Sequence, residues 1–341
     1  MAQLQLRKRY SAAAMTRLRL TVAIGDYDHT RDLAAGAVRP EGIDLVHLAL
    51  PVEEIFFRFT KYREWDVSEM SFAKVVSLAS QDDRSLVALP VFPSRVFRLS
   101  SIYVRADGPV GSPGDLAGKR IGVPEWAQTA AVYTRGFLAH ELGLALTGIE
   151  WVQAGLNEAG RVEKVALKLP PGIRPRPVRD ATLNDMLLAG ELDAVLSARP
   201  PRGFAEGRIA RLYPEYREAE EAYFRKTGLF PIMHVVALRR DAFDRDPWVA
   251  MNLLKAFEEA KRRSLARLAD VTASHAPLPW IGDYVARTRR LFGDDPWPYG
   301  LEPNRRTLEA FLAFAFEQGV CHRRLAVEEL FPEQLATSYK V

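Results

Sequence analysis

DLAGKRIGVPEWAQTAAVYTRGFLAHELG, residues 115–143, decides how the chain is read. A turn at Gly118 leads into the apolar run KRIGV (119–123). Pro124 then opens a helical pattern that runs to Gly143. The same strand-turn-helix unit appears upstream. LRLTVAI (18–24) and IDLVHLAL (43–50) read as strands, PVEEIFFRFTKY (51–62) as a helix with Ile55, Phe56 and Phe59 at core spacing. WDVSEMS (65–71) and SLVALPVF (85–92) read as further strands around a short helix from Phe72. Downstream, IEWVQ (149–153) and VEKVALKL (162–169) read as strands, PPGIRPRP (170–177) as a proline-rich loop, and ATLNDMLLAGELDAVLSA (181–198) as helix, glycine turn and strand. GLFPIMHVVALRR (228–240) is a strand again, and helical patterns dominate from Trp248 onward. Strands alternating with helices predict an α/β fold with mainly parallel sheets and a helical C-terminal segment.

Composition narrows the function classes. Of 341 residues, 48% are hydrophobic and 26% charged, as in ordinary globular proteins. The net charge is +4, with ten Lys against 37 Arg, and the basic residues are scattered rather than clustered. That disfavours nucleic acid and fits a small anionic ligand met by guanidinium groups. The lone Cys321 excludes an internal disulfide and any cysteine-cluster metal site. No apolar run reaches eighteen residues, so no membrane-spanning helix is expected. The N-terminal stretch has no apolar segment of secretory length, which predicts a cytoplasmic protein, with Met1 and Met15 both candidate starts. Residues 1–17 read as a disordered extension. A homo-oligomer is compatible with the sequence, and nothing in it fixes the state.

PVFPSRVFRLSSIYV (90–104) is the chemically odd stretch: Arg95 and Arg98 sit in an apolar run followed by Ser100 and Ser101. Guanidiniums in such a setting need an anion or another polar partner. Together with the apolar strand around His234, this run is read as one of two crossings between two lobes. The boundaries predicted are 18–100 plus 235–341 for one lobe and 101–234 for the other, with an interlobe cleft that holds the ligand.

Several stretches, in order, carry a resemblance. They are GDYD (25–28), PVFPSRVFR (90–98), DLAGKRIGVP (115–124), GRVEKVALKLP (160–170), MLLAGELDAVLSA (186–198), LFPIMH (229–234), GDDPWPYGLEPNR (293–305) and VEELFP (327–332). The chain resembles type II periplasmic-binding-protein folds, and within them the 4,5-dihydroxyphthalate decarboxylase family. It departs from that pattern at Leu99, where the family has a His, and at Trp126, where a Tyr often follows GVPE. The resemblance implies a two-lobe fold and decarboxylation of a hydroxylated aromatic acid; no organic cofactor is expected, because the phenol itself holds the electrons, and no metal, because no ligand set is visible. The competing reading is a solute-binding protein that delivers an aromatic acid to a transporter.

Such a reaction needs a proton on the ring carbon that bears the carboxylate, with a ring hydroxyl supplying electron density. An arginine on the departing carboxylate would stabilise the ground state, so arginines belong on the retained one. Arg98, and with it Arg95, are the candidate anchors, backed by the hydroxyls of Ser100 and Ser101. Three residues apart on a strand, the two arginines reach one anion only if the segment kinks at Pro93. Glu125, Gln128, Thr129 and Tyr133 open the helix after Pro124, where Glu125 is a candidate base for the hydroxyl. His234 is the candidate proton donor. Asp26 and Tyr27 follow the first strand, and with Asp28 and His29 they are the one cluster that suggests a metal, though no second cluster supports it. Glu69, Ser71 and Arg199 complete the candidates.

Overall fold

Leu20, Val22, Ala23 and Ile24 are buried along the first strand, so both of its faces are covered, as in a parallel sheet flanked by helices. In the computed structural model, which describes residues 17–335, the elements follow in α/β order. They are β1 (Leu18–Ile24), β2 (Ile43–Ala49), α1 (Val52–Tyr62), β3 (Val67–Ser71), α2 (Phe72–Ser80), β4 (Leu86–Leu89), β5 (Ile102–Arg105) and β6 (Arg120–Val123). Then come α3 (Thr129–His140), β7 (Glu150–Gly155), β8 (Arg176–Thr182), α4 (Leu183–Leu188), β9 (Ala194–Leu196), β10 (Ile209–Arg211), α5 (Tyr216–Thr227) and β11 (His234–Arg239). The helices α6 (Val249–Ala269), α7 (Ile281–Phe292) and α8 (Arg305–Glu317) end the order, and short helical turns fill the connections. The strands form two sheets, ordered β2-β1-β3-β11-β4 and β10-β5-β9-β6-β7-β8. No helix among the described residues is long and apolar enough to cross a membrane. The extension expected over 1–17 lies, except for Arg17, outside the described residues.

Contacts divide the chain into two units. One runs up to Glu69 and resumes over Ala237–Val285; the other comprises Met70–Val236 and the described residues from Ala286 onward. These breaks differ from the lobe boundaries proposed at 100/101 and 234/235. In the first unit β1 pairs in parallel with β2, from Leu18↔Ile43 to Ile24↔Ala49, and with β3 at Val22↔Val67. Ile55 and Phe59, one turn apart on α1, are fully buried.

The second unit holds the six-stranded sheet. β6 lies parallel to β7 and β9, while β5 runs antiparallel to β9 and β10. Tyr103, Val152, Leu183, Leu187, Leu192 and Val195 form its core. Burying each large apolar side chain contributes about 1.5–3 kcal/mol. Gly122 is dictated by this packing, because a Cβ there would stand 2.6 Å from Leu183 and 2.8 Å from Leu192. Gly136 on α3 is fixed in the same way by the Phe314 ring of α8, 2.5 Å from a Cβ.

Three local expectations are corrected. Residues 162–169 form no strand. Their alternation has a different cause: Glu163 and Lys164 are drawn into an ionic cluster described below. The loop expected over 170–177 gives way at Arg176 to β8, whose Pro177 opposes Gln153 at the outer edge of the sheet, where a missing N–H is tolerated. Arg98 is not in a strand: it caps a short helical turn, Leu99–Ser101, and the strand begins at Ile102.

Candidate active site

Two buried polar clusters stand out, one in each unit. In the first, Glu69 is fully buried. Its Oε2 accepts from the Gly25 backbone N–H at 2.8 Å and its Oε1 from the Tyr27 hydroxyl at 2.6 Å. The carboxylate thus ties the turn after β1 to β3. Asp26, next to Tyr27, is exposed. Asp28 bonds the Ser264 hydroxyl and pairs with Arg31 and Arg267. Among the described residues no group of three or more His, Cys, Asp or Glu is placed to hold a metal ion.

The second cluster surrounds the start of α3, in the second unit. The Thr129 hydroxyl lies 3.1 Å from that of Ser71 and accepts from the Ala73 N–H at 3.1 Å. One residue earlier, the Gln128 side-chain oxygen accepts from the Ala198 N–H at 3.3 Å. The carbonyl of Ala198 in turn accepts from Arg98. The Phe72 N–H donates to the Met233 carbonyl, and Met233 precedes His234, the half-buried first residue of β11. Ser71 bonds Thr129 directly, Gln128 and Arg98 meet through the two ends of Ala198, and His234 lies one residue from Met233, which bonds Phe72.

The two arginines part company. Arg95, 4% exposed, donates to the carbonyls of Pro298 at 3.2 Å and Phe230 at 3.1 Å, and its guanidinium lies over the Phe230 ring. Arg98 donates to the Met233 thioether at 3.1 Å, and at 3.4 Å to both the Ser101 hydroxyl and the Ala198 carbonyl. No carboxylate pairs with Arg98 among the described residues, although burial lowers its pKa to about 10. A small pocket beside it is walled by Phe97, Leu99, Tyr133, Phe137 and Tyr223. The cavity has room for about one water, so as it stands it does not itself hold an aromatic ring.

The remaining candidates have structural partners. The Tyr133 hydroxyl accepts from the Ile232 N–H at 3.1 Å, and burial pushes its pKa up. Ser100 donates its N–H to Glu220 at 2.9 Å. Arg199 is exposed, its N–H directed at the Ser197 hydroxyl.

Glu125 is buried, but it is not a lone base. Its Oε1 meets Arg161 at 2.7 Å and Lys164 at 3.2 Å. Glu163 accepts from the backbone N–H groups of Trp126 and Ala127. Burial and the Glu125 charge raise the pKa of Glu163. Lys74, on the first turn of α2, is 7% exposed beside this set. Sequence reasoning missed Lys74, Arg161, Glu163 and Lys164. The signals were there: GRVEKV carries three of the charges, and Lys74 is a single cation in the apolar run FAKVV.

No protein-family model matches the chain. Among curated proteins, it is 39% identical over 330 residues to the 4,5-dihydroxyphthalate decarboxylase of Comamonas testosteroni, covering 96% of this chain and 100% of that one. The chain belongs to the 4,5-dihydroxyphthalate decarboxylase family. The enzyme of the same name from Pseudomonas putida is 39% identical over 214 residues, 62% of this chain and 83% of its own. Solved structures of periplasmic-binding-protein type share the fold. A putative periplasmic sulfonate-binding protein of Methylobacillus flagellatus has a TM-score of 0.54 at 15% identity, covering 94% of this chain and 93% of that one. The aliphatic sulphonate-binding protein of Escherichia coli has a TM-score of 0.51 at 14% identity, with 94% and 99% covered. The type II binding-protein fold read from the sequence is the fold observed, and the family read from it is the family found.

Proposed function

We propose that this family member decarboxylates a hydroxylated benzene dicarboxylate such as 4,5-dihydroxyphthalate. One observation within the structure carries the reading: Arg98 is a half-buried guanidinium that meets only neutral acceptors, two of them at 3.4 Å. Its unmet charge suits the retained carboxylate of the substrate, held by two parallel hydrogen bonds. Ser101 and Gln128 border the same network and orient the ring. His234 delivers a proton to the carbon bearing the departing carboxylate. The departing group, kept away from cations and poorly solvated, leaves as CO2.

Purified protein incubated with a panel of hydroxylated phthalates and benzoates, with CO2 measured, tests the reading. Turnover of 4,5-dihydroxyphthalate is expected, and it is expected to persist after exhaustive chelation, since Asp28 is already committed to Ser264 and two arginines. Tight binding of the acids without CO2 would replace the enzyme with a receptor.

A further inference from the structure

Lys74 is the one cation of the second cluster left without a partner. The side chain makes no hydrogen bond and no ion pair among the described residues, although the residue is 93% buried by its 7% exposure. Nor is Nζ one of the fully enclosed polar atoms that lack a partner, so the amine reaches accessible space. Its position is fixed from both sides. α2 begins directly after β3, and the N–H of Ala73, the residue before Lys74, is held by Thr129 at 3.1 Å. Thr129 belongs to the network that reaches Arg98 through Gln128 and Ala198. A buried amine next to the Thr129 network, with no hydrogen bond or ion pair of its own, is costly unless a ligand uses it.

We propose that Lys74 is a catalytic residue of the decarboxylation, its Nζ accepting the proton of a ring hydroxyl as the ring carbon is protonated. The inference rests on the function proposed above and moves the base from Glu125 to Lys74. Glu125 is held by Arg161 and Lys164, whereas Nζ is open. The O–H bond breaks and its proton passes to the neutral amine. The freed electron pair enters the ring, and the carboxyl-bearing carbon takes a proton from the acid. The bond to the carboxylate then breaks, CO2 leaves, and its electron pair restores the aromatic ring while Nζ returns the proton to oxygen. One proton, replaced from water, is consumed per CO2, and nothing is oxidised or reduced.

The surroundings favour an amine that gives up its proton readily. Burial lowers the Lys74 pKa, the neighbouring Lys164 and Arg161 lower it further, and Glu125 and Glu163 act against them. A general base works best with a pKa near the working pH, and such catalysis contributes roughly 10²–10⁴-fold.

The test uses the full chain and the variants Lys74→Met and Lys74→Arg. Three readouts are taken: CO2 release from 4,5-dihydroxyphthalate, the near-ultraviolet phenolate absorbance of bound 3,4-dihydroxybenzoate, and thermal stability. Lys74→Met should lower kcat by roughly a hundredfold or more with little change in KM, abolish the phenolate absorbance, and melt no lower than wild type. Lys74→Arg, whose guanidinium stays protonated and so cannot accept the hydroxyl proton, should not restore turnover. Lys74→Met turnover within threefold of wild type, or restoration by Lys74→Arg, overturns the role. If wild type shows the phenolate absorbance but releases no CO2, the decarboxylase reading falls and the contact with Lys74 stands. If it shows neither, both are rejected.

Discussion

Arg95 and Arg98 lie three residues apart, and burial lowers the pKa of each to about 10, yet their surroundings differ. Arg95 is answered by two carbonyls and the face of Phe230. Arg98 is answered by a thioether, a hydroxyl and a carbonyl at the long end of hydrogen-bonding distance. Burial alone therefore does not mark a ligand site. What distinguishes Arg98 is that its acceptors are neutral, two of them at 3.4 Å, and that it stays partly accessible. A cation whose pKa is depressed on folding costs stability throughout the pH range below that pKa. For Arg95 two carbonyls and the Phe230 face offset part of the cost, although its Nε is enclosed without a partner; for Arg98 a bound anion is the natural offset.

The largest effect that tests this contrast is on stability. Arg95→Ala should remove the donors of the Pro298 and Phe230 carbonyls and the stacking on Phe230. An unsatisfied buried acceptor costs about 1–3 kcal/mol, so the variant should be roughly 2 kcal/mol or more less stable even after the buried charge is gone. Denaturant titration measures this. If Arg95→Ala melts like wild type but loses turnover, the two arginines have exchanged roles.

Next comes catalysis. Arg98→Ala should fold with near-normal stability and lose roughly tenfold or more in kcat/KM, at about 1.4 kcal/mol per tenfold. Arg98→Lys should recover only part, since an ammonium cannot reproduce the planar fork. Melting temperature and kinetics on the same preparations separate this from a structural role. Wild-type turnover in a stable Arg98→Ala would show that the anion at this site is not the substrate.

A smaller effect follows from the same cost. Phthalate, which carries the carboxylates without the hydroxyls, should raise the melting temperature of wild type by relieving the Arg98 charge. At 100 times its dissociation constant a ligand adds about 2.7 kcal/mol. The shift should vanish in Arg98→Ala and persist in Arg95→Met, checked by thermal scans over a phthalate series. Equal shifts in wild type and Arg98→Ala would place the anion elsewhere.

The difference between the arginines was not legible in the sequence, and the reason is geometric. PVFPSRVFRLSSIYV reads as apolar strand because Val, Phe, Ile and Tyr flank its arginines. In the folded chain only Arg95 makes an isolated bridge, to Ile232, and the run then breaks into the turn at Leu99–Ser101. Which carbonyl meets which guanidinium depends on Phe230, Pro298 and Ala198, a hundred or more positions away, and no local pattern encodes that. The fold was legible because its signals are local: β1 spans Leu18–Ile24, the same seven residues as the apolar run LRLTVAI. Helix α3 was legible for the same reason, since Pro124 shortly precedes it. Lys74 was not, because a lysine in FAKVV looks like a solvated position until the burial of every residue from Phe72 to Ser77 is seen.

The finest test concerns Glu220, the nearest candidate for a carboxylate partner of Arg98. Its charge bears on Arg98, but Oε1 accepts from the Ser100 N–H at 2.9 Å and no ion pair forms between them. Burial raises the Glu220 pKa, while bonds from Ser100 and Leu99 and the Arg98 charge hold it back. The sign follows: a carboxyl whose pKa is higher in the folded chain than in the unfolded one contributes stability at low pH. That stability is lost as pH rises through the folded value. Glu220→Gln cannot titrate. Its melting temperature relative to wild type should therefore be constant near neutral pH and should fall behind as pH drops towards the usual carboxylate range. Its kcat/KM should stay within about threefold of wild type, because the amide oxygen still accepts from Ser100 and Arg98 keeps its charge. Melting curves across that pH range, with kinetics at neutral pH, decide it. A pH-independent difference would contradict the raised pKa. A loss of turnover as large as in Arg98→Ala would make Glu220 the true partner of Arg98, and the guanidinium would no longer be unmet.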